Sequence, residues 1–468
     1  MGRKRKVFEE VEIIDMAEKG YAVGRTPEGQ ILMVSGAVPG DVVDVECRKK
    51  KKSVWWGQPR HFREKSPHRQ EPFCDHFENC GGCQWQHFSY EAQLTYKEKK
   101  VRDNLQRIGD LKDFEFLPIL GAEQTRHYRN KMEYSFSAKR WITQEEIDEG
   151  GDIENEGGLG FYRSGSFEKV TDLDHCHLQP EPGNEIRNFV KKKALELGLS
   201  FYDNREHVGF LRQLLIRTTT TGQTMIVLAV GEPDREKIDA LLGALKETFP
   251  DLDSIYYTVN QKKNNFLYDL DMHHWHGEKQ IEERLGHLSF KIRPKSFFQT
   301  NTLQARRLYD RVVDFADLQG TENVYDLYCG TGSIGLYLAR NCKSVVGIEE
   351  VGQAVLDARQ NASDNGIEHA QFHLGRVREV LTDAFQSAHG VPDLLVTDPP
   401  RAGMHPDVVD ILLQLKAPRM VYVSCNPATQ ARDLAALSQA YRLVKIQPVD
   451  MFPHTSHIES VALLELKE

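Results

Sequence analysis

The sequence predicts an α/β protein in three parts: a small N-terminal β-barrel, a mixed α+β middle, and a C-terminal doubly wound, mostly parallel sheet. Three observations predict it. Beyond about residue 300, short apolar strands alternate with helical stretches. The first sixty residues hold short β-branched segments broken by Gly and Pro turns. Finally, 468 residues exceed what one core usually fills, while 40% hydrophobic residues suffice for several.

In the first part the strand segments are 11–15, 20–25, 30–34 and 41–48, separated by Pro27-Glu28-Gly29 and Pro39-Gly40. Barrels of this size often bind single-stranded nucleic acid through a basic face with aromatics, here Lys49 and Lys50 beside Trp55 and Trp56. The net charge of −9 argues against a polyanionic partner until its distribution is read: residues 1–70 carry +5 and the remainder −14. The basic run 48–52 reads equally well as a solvated strand end.

A Pro- and His-bearing connector, about 60–72, leads to a cysteine cluster, and 90–108 has helical apolar spacing. Residues 208–219 and 223–230 form a hairpin around Thr221-Gly222, 233–248 is helical, and the acidic, Gly-rich stretch 143–158 reads as an exposed loop. No apolar run approaches a membrane span and no hydrophobic stretch follows the basic start, so no export and no membrane partner are expected. Eight cysteines are too few for a disulfide scaffold. The grouping of Cys74, Cys80 and Cys83 points to metal ligation in a reducing compartment, the cytoplasm.

The C-terminal strands are 323–328, 344–349, 371–373, 393–397 and 420–424, and in such sheets ligands sit at the carboxyl ends of the strands. The first runs into Gly330-x-Gly332-x-x-Gly335 and a helix, and the second ends at Glu349, 19 residues after Gly330, where a carboxylate accepts ribose hydroxyls. This favours a nucleoside-containing cofactor without separating a nicotinamide from S-adenosylmethionine. After the fourth strand, Asp398-Pro399-Pro400-Arg401 forms a stiff wall that suits a methyl donor facing a planar base.

Cys425-Asn426-Pro427 ends the fifth strand, in the same crevice. Uracil C5 is too poor a nucleophile to take a methyl group unaided, and thiolate addition at C6 cures this by pushing electrons to C5, after which a base removes the C5 proton. Such chemistry calls for a lowered cysteine pKa and a nearby carboxylate, for which Glu459, at the start of the last apolar strand, is the candidate. Cys47, Cys329 and Cys342 read as packing residues.

These motifs, together with Phe298-Gln299-Thr300-Asn301, Asp326-Leu327-Tyr328-Cys329-Gly330 and His457-x-Glu459, run along nearly the whole chain. The chain resembles the bacterial RNA uracil-C5 methyltransferases, in particular the iron–sulfur type that acts on 23S ribosomal RNA and carries an N-terminal TRAM-like, OB-like barrel. The resemblance implies a Rossmann-like methyltransferase domain. It makes Cys425 the nucleophile and Glu459 the base, with Gln299, Tyr328, Gly330, Ser333, Glu349 and Asp398 at S-adenosyl-L-methionine. It also implies Phe297 stacking on RNA and a [4Fe–4S] cluster on Cys74, Cys80, Cys83 and Cys176. Gly375-Arg376 stands where many relatives place an acid, so the adenine contact stays unassigned.

On donor chemistry alone zinc rivals iron–sulfur, since His76, His87, His175 or His177 can complete a Cys3His site. The expected division is 1–62 barrel and RNA binding, 63–290 cluster-bearing central domain and RNA binding, and 291–468 catalytic, acting as a monomer. The cluster is expected to brace RNA binding, away from the methyl-transfer residues. Rival functions are a transfer-RNA uracil methyltransferase, a nitrogen methyltransferase that needs no nucleophile, a non-catalytic iron–sulfur RNA-binding protein and, more distantly, a dehydrogenase.

Overall fold

The computed structural model describes residues 5–150, 155–163 and 165–468. Residues 1–4 of the basic start and 151–154 of the acidic stretch therefore lie outside the described residues. Among the described residues three sheets of five or more strands account for the architecture.

The N-terminal segment closes into a five-stranded barrel of Lys6–Met16, Ala22–Arg25, Ile31–Val34, Val54–Glu64 and Val42–Lys51, in that spatial order. Alternating residues Val11, Ile13, Leu32, Val34, Val43 and Val45 fill it, as period-two strands around one core require. Four strands sit where the segment pattern predicts them. The fifth, Val54–Glu64, includes Trp55 and Trp56 and takes up the start of the predicted connector, because barrel closure needs a partner for both Val42–Lys51 and Ile31–Val34. Cys47 packs in this core and burial pushes its thiol up to about 11.

The middle of the chain forms a seven-stranded sheet backed by the helices Gly183–Glu196 and Arg235–Thr248. Its central hairpin, Leu211–Thr218 with Thr224–Val230, is the predicted one, and both strands are buried throughout. Within the acidic stretch, Gln144–Glu149 is a short helix where the sequence was read as loop. Thr143 and Glu146 form a reciprocal capping box that supplies the orphan amides of its first turn.

The C-terminal sheet carries the site, and its strands are numbered here in chain order: β1 Asn323–Leu327, β2 Ser344–Glu349, β3 Ala370–Leu374, β4 Leu394–Thr397, β5 Arg419–Ser424, β6 Tyr441–Val449 and β7 Glu459–Leu466. The spatial order is β3-β2-β1-β4-β5-β7-β6, with the short strand Glu115–Phe116 added parallel to β6 at the edge. Strands β1 to β5 are parallel, and β7 inserts antiparallel between β5 and β6. Val324, Leu327, Leu395, Val396, Val421 and Val423 are fully buried, as expected where helices cover both faces. The order reverses between β1 and β4, which opens the crevice at their carboxyl ends. Helix Tyr90–Arg107 lies against helix Pro427–Leu437, with Val101 and Leu105 in this sheet's core. No helix among the described residues is long and apolar enough to cross a membrane.

Candidate active site

The turn after β1 is built for close approach. Tyr328 and Gly330 adopt left-handed backbone (φ 62° and 55°), and a Cβ placed on Gly330 would meet nothing within 4 Å. Glu349, at the end of β2, spans the mouth of this turn: one carboxylate oxygen accepts from Gly330 N (3.0 Å), the other from Val351 N (2.8 Å). Each oxygen keeps a free lone pair for a ligand hydroxyl.

Asp326 Oδ2 accepts from Gly335 N at 2.8 Å, while Oδ1 is buried with no hydrogen-bond partner in the protein. Burial pushes the Asp326 carboxyl up to about 7, and the charges of Asp398 and Glu349 add to the shift. An orphaned buried oxygen beside an open glycine cradle suits a polar ligand at this turn.

Gln299 and Ser333 meet through a residue that the sequence did not single out. The Tyr309 hydroxyl lies 2.8 Å from Ser333 Oγ, and its phenol is also hydrogen-bonded by Gln299 and feels the charge of Asp398. Gln299 is fixed from the middle sheet, where Asn130 Nδ2 donates to its carbonyl (2.9 Å) and Asn130 N to the next carbonyl (2.9 Å). Tyr309 falls on the buried face of helix Thr302–Ala316, so its spacing reads as core.

Cys425 sits in the turn between β5 and helix Pro427–Leu437, whose N-cap is Asn426. Asn426 Nδ2 donates to the Arg401 carbonyl at 2.9 Å, tying this turn to the Asp398-Pro399-Pro400-Arg401 loop. In the antiparallel ladder Ser424 pairs with Ser460, so one step further Cys425 comes opposite Glu459. Glu459 is only 6% exposed, unlike most carboxylates at a strand start.

The Cys425 thiol is pushed up to about 12, by burial first and then by the charges of Glu459 and Asp398, against a downward pull from the Arg401 guanidinium. This corrects the expectation of a lowered thiol: two carboxylates in an apolar crevice outweigh one cation. Burial, with Asp398 adding, also raises the Glu459 carboxyl well above the usual range, and burial brings Asp398 to about 7. The four groups thus form one electrostatic unit, of which Arg401 is the member absent from the predicted site. Phe297, two residues before Gln299, is 66% exposed and available to a stacking partner.

Cys74, Cys80, Cys83 and Cys176 line one cavity of about 450 Å³, with Phe77, Phe161, Met132 and Leu173. Burial, with the other cysteines of the group adding, pushes the Cys80 and Cys83 thiols up to about 12. Gly82 N donates to Cys80 Sγ at 3.4 Å. Among the described residues no group of three or more His, Cys, Asp or Glu is gathered tightly enough to hold a metal ion. The sequence-predicted ligands therefore share a chamber without forming a ready-made ion site. The chamber is not remote from the crevice: Thr300, Thr455 and His457 line it too.

Residues 262–467 match the family model described as tRNA (uracil-5-)-methyltransferase. An RNA methyltransferase of Bacteroides thetaiotaomicron is 44% identical over 97% of this chain and 100% of its own length, and one of Porphyromonas gingivalis is 46% identical over 97% and 99%. The crystal structure of the Pyrococcus abyssi tRNA (uracil-54, C5)-methyltransferase, in complex with S-adenosyl-L-homocysteine, superposes with a TM-score of 0.74. It is 30% identical, over 97% of this chain and 100% of that one. With identity sustained along the whole chain and a methyltransferase-like sheet, the protein belongs to the RNA (uracil-5-)-methyltransferase family.

Proposed function

We propose that this chain transfers a methyl group from S-adenosylmethionine to C5 of a uridine in RNA, with Cys425 as nucleophile and Glu459 as base. The observation that supports this is the register of β5 against β7, whose last rung is Ser424 with Ser460, together with the charges of Glu459 and Asp398 felt by the next residue, Cys425. The open cradle at Gly330 and the unpaired Asp326 Oδ1 fit a nucleoside ligand, with Glu349 for the ribose and Gln299, Tyr328, Ser333 and Asp398 around the rest. Bound S-adenosylmethionine supplies an electrophilic methyl group on a cationic sulfonium.

In the resting crevice, burial holds the Cys425 thiol and the Glu459 carboxyl in their neutral forms. Positive charge entering beside them, together with Arg401, favours both anions. The Cys425 thiolate adds to uracil C6, forming an S–C bond and sending the C5–C6 π electrons to C5, which takes the methyl group as the donor's S–CH3 bond breaks and its electron pair stays on the sulfur, leaving a neutral thioether. Glu459 then removes the C5 proton, the C5–C6 double bond reforms, and the thiolate leaves C6. A base inside folded RNA must first be unstacked, at a cost of a few kcal/mol that contacts with flanking nucleotides offset. We assign those contacts to the barrel (1–62), its Lys50 set 5.3 Å from the Trp55 ring, and to the central region 63–290, with 291–468 catalytic.

On the motif resemblance a [4Fe–4S] cluster is assigned to Cys74, Cys80, Cys83 and Cys176, and their shared chamber supports that reading over a single zinc. Thiolates on four different irons stand farther apart than four that share one ion, and an N–H···S bond such as Gly82 to Cys80 is a usual support for cluster sulfur. These four side chains would hold it, with no part in the methyl-transfer steps.

The RNA is taken as 23S ribosomal RNA on the motif resemblance. A transfer-RNA substrate is the second reading, favoured by the match of 97% of this chain, barrel and cysteine region included, to an enzyme acting on tRNA. Two experiments test these assignments. RNA containing 5-fluorouridine is expected to trap a covalent adduct with the wild type and none with Cys425→Ala. Mapping 5-methyluridine in ribosomal and transfer RNA, with and without the gene, decides the substrate.

A further inference from the structure

Residues 450–458 connect β6 to β7 and deliver Glu459 to the crevice, yet this loop has no regular structure of its own. Its polar groups are satisfied from elsewhere in the chain. Lys97 reaches Asp450 (2.6 Å) and the Phe452 carbonyl (3.0 Å) from helix Tyr90–Arg107, and the Tyr90 hydroxyl donates to Asp450 (2.9 Å). Nearest to Glu459 the Ser456 carbonyl accepts from Lys100 Nζ (3.4 Å), and the backbone on either side of Thr455 is held by Gln84, next to Cys83. Its backbone N–H donates to the His454 carbonyl (2.8 Å), and its side-chain oxygen accepts from Ser456 N (3.1 Å). Gln84 is itself backed by the barrel: a Cβ on Gly20, where φ is +77°, would stand 2.9 Å from Gln84 Cβ. Gln84, Cys83, Thr455 and His457 all line the cysteine chamber.

We infer that Gln84 is a positioning residue for the proton-removal step: by holding Ser456 and His454 it fixes where the Glu459 carboxylate stands, and it makes the cysteine segment a support of the active site. The inference rests on the reading of Glu459 as base. Misplacing a catalytic group by about 1 Å costs on the order of a hundredfold in rate. Cys425, held by Asn426 and β5, does not depend on this anchor. Loosening the loop therefore spares thiolate attack and methyl transfer but stalls release, leaving a methylated RNA still bonded to Cys425.

The test uses the full-length protein and Gln84→Met, which keeps the side chain's size and removes the acceptor. Gln84→Glu retains the acceptor, and Gln84→Asn, which shortens the reach, serves if the Met variant does not fold. Amide hydrogen exchange across 454–458 and denaturing gels of protein with ordinary uridine RNA are the two readouts. Expected for Gln84→Met are faster exchange at Ser456, a ten- to hundredfold loss of turnover and an accumulating adduct, with Gln84→Glu close to wild type in all three. Unchanged exchange at Ser456, or lost turnover with no adduct, overturns the inference. A wild type that forms no adduct with 5-fluorouridine RNA overturns the reading of Cys425 instead, and is recognised separately because the exchange readout needs no RNA.

Discussion

Cys425 and the cysteines of the chamber are the same side chain in similarly buried settings, and in both places burial pushes the thiols up. Their neighbours differ. Around Cys425 stand two carboxylates and a guanidinium at the end of a parallel strand; around Cys80 and Cys83 stand other cysteines, phenylalanines and the Gly82 N–H, with the Arg129 guanidinium pulling Cys83 down and no carboxylate among the groups that shift them. Burial alone therefore does not mark a reactive cysteine. The charges that share a thiol's pocket, and not its burial, separate the two settings.

The largest effect expected is at the first of the two. Cys425→Ala is expected to lower methyl transfer from labelled donor by about 10^4-fold or more, with the thermal midpoint unchanged. Cys83→Ala is expected to lower the midpoint and the iron content while leaving the nucleophile intact. A reversed pattern would collapse the distinction.

Next comes the ion pair between the two regions. Burial pushes the Lys97 ammonium down against the pull of Asp450, and neither side chain is exposed. Lys97→Met leaves the Asp450 charge buried and unpaired, a loss of about 3–5 kcal/mol that denaturant unfolding would measure. An unchanged midpoint would show that the loop does not couple the regions.

Arg401→Gln is expected to act on Cys425 and Glu459 together, since the guanidinium pulls both groups down. Arg401 pulls the thiol down, so its removal pushes it higher and moves the rising limb of kcat/KM to higher pH, by about one unit, or roughly tenfold in rate on that limb. A shift to lower pH would contradict the assigned field.

The smallest effect belongs to the barrel. Lys50→Ala is expected to reduce the slope of log affinity against log salt by about 1, with turnover at saturating RNA unchanged. An unaltered slope would remove Lys50 from the RNA path.

Much of the C-terminal sheet was legible because its signals are local. Strand β1, its glycine turn and Glu349 follow from apolar runs, Gly positions and one spacing, and the strands lie within a residue or two of prediction. Two missed elements exist through partners, Val54–Glu64, which includes Pro59 and is paired by barrel closure, and the two-residue strand Glu115–Phe116 at the sheet edge, whereas the helix Gln144–Glu149 carried a local capping box inside a stretch whose acidic, Gly-rich composition reads as loop. Tyr309 escaped notice and Arg401, read only as the end of the Asp398-Pro399-Pro400-Arg401 wall, was given no charge role for the same reason as the two strands, since a helix-face tyrosine and a loop arginine become site residues only when Ser333, Gln299 and Glu459 arrive beside them.

By itself the sequence determined the alternation of strands and helices, the crevice at their carboxyl ends and the chemistry that Cys425 and Glu459 can perform, because backbone periodicity and side-chain reactivity are local properties. Only the tertiary structure decided that Glu459 lies opposite Cys425, that burial among carboxylates raises the thiol it was expected to lower, and that the cysteine chamber adjoins the loop leading to Glu459. Those are matters of register, desolvation and long-range packing, which depend on residues hundreds of positions apart in the chain.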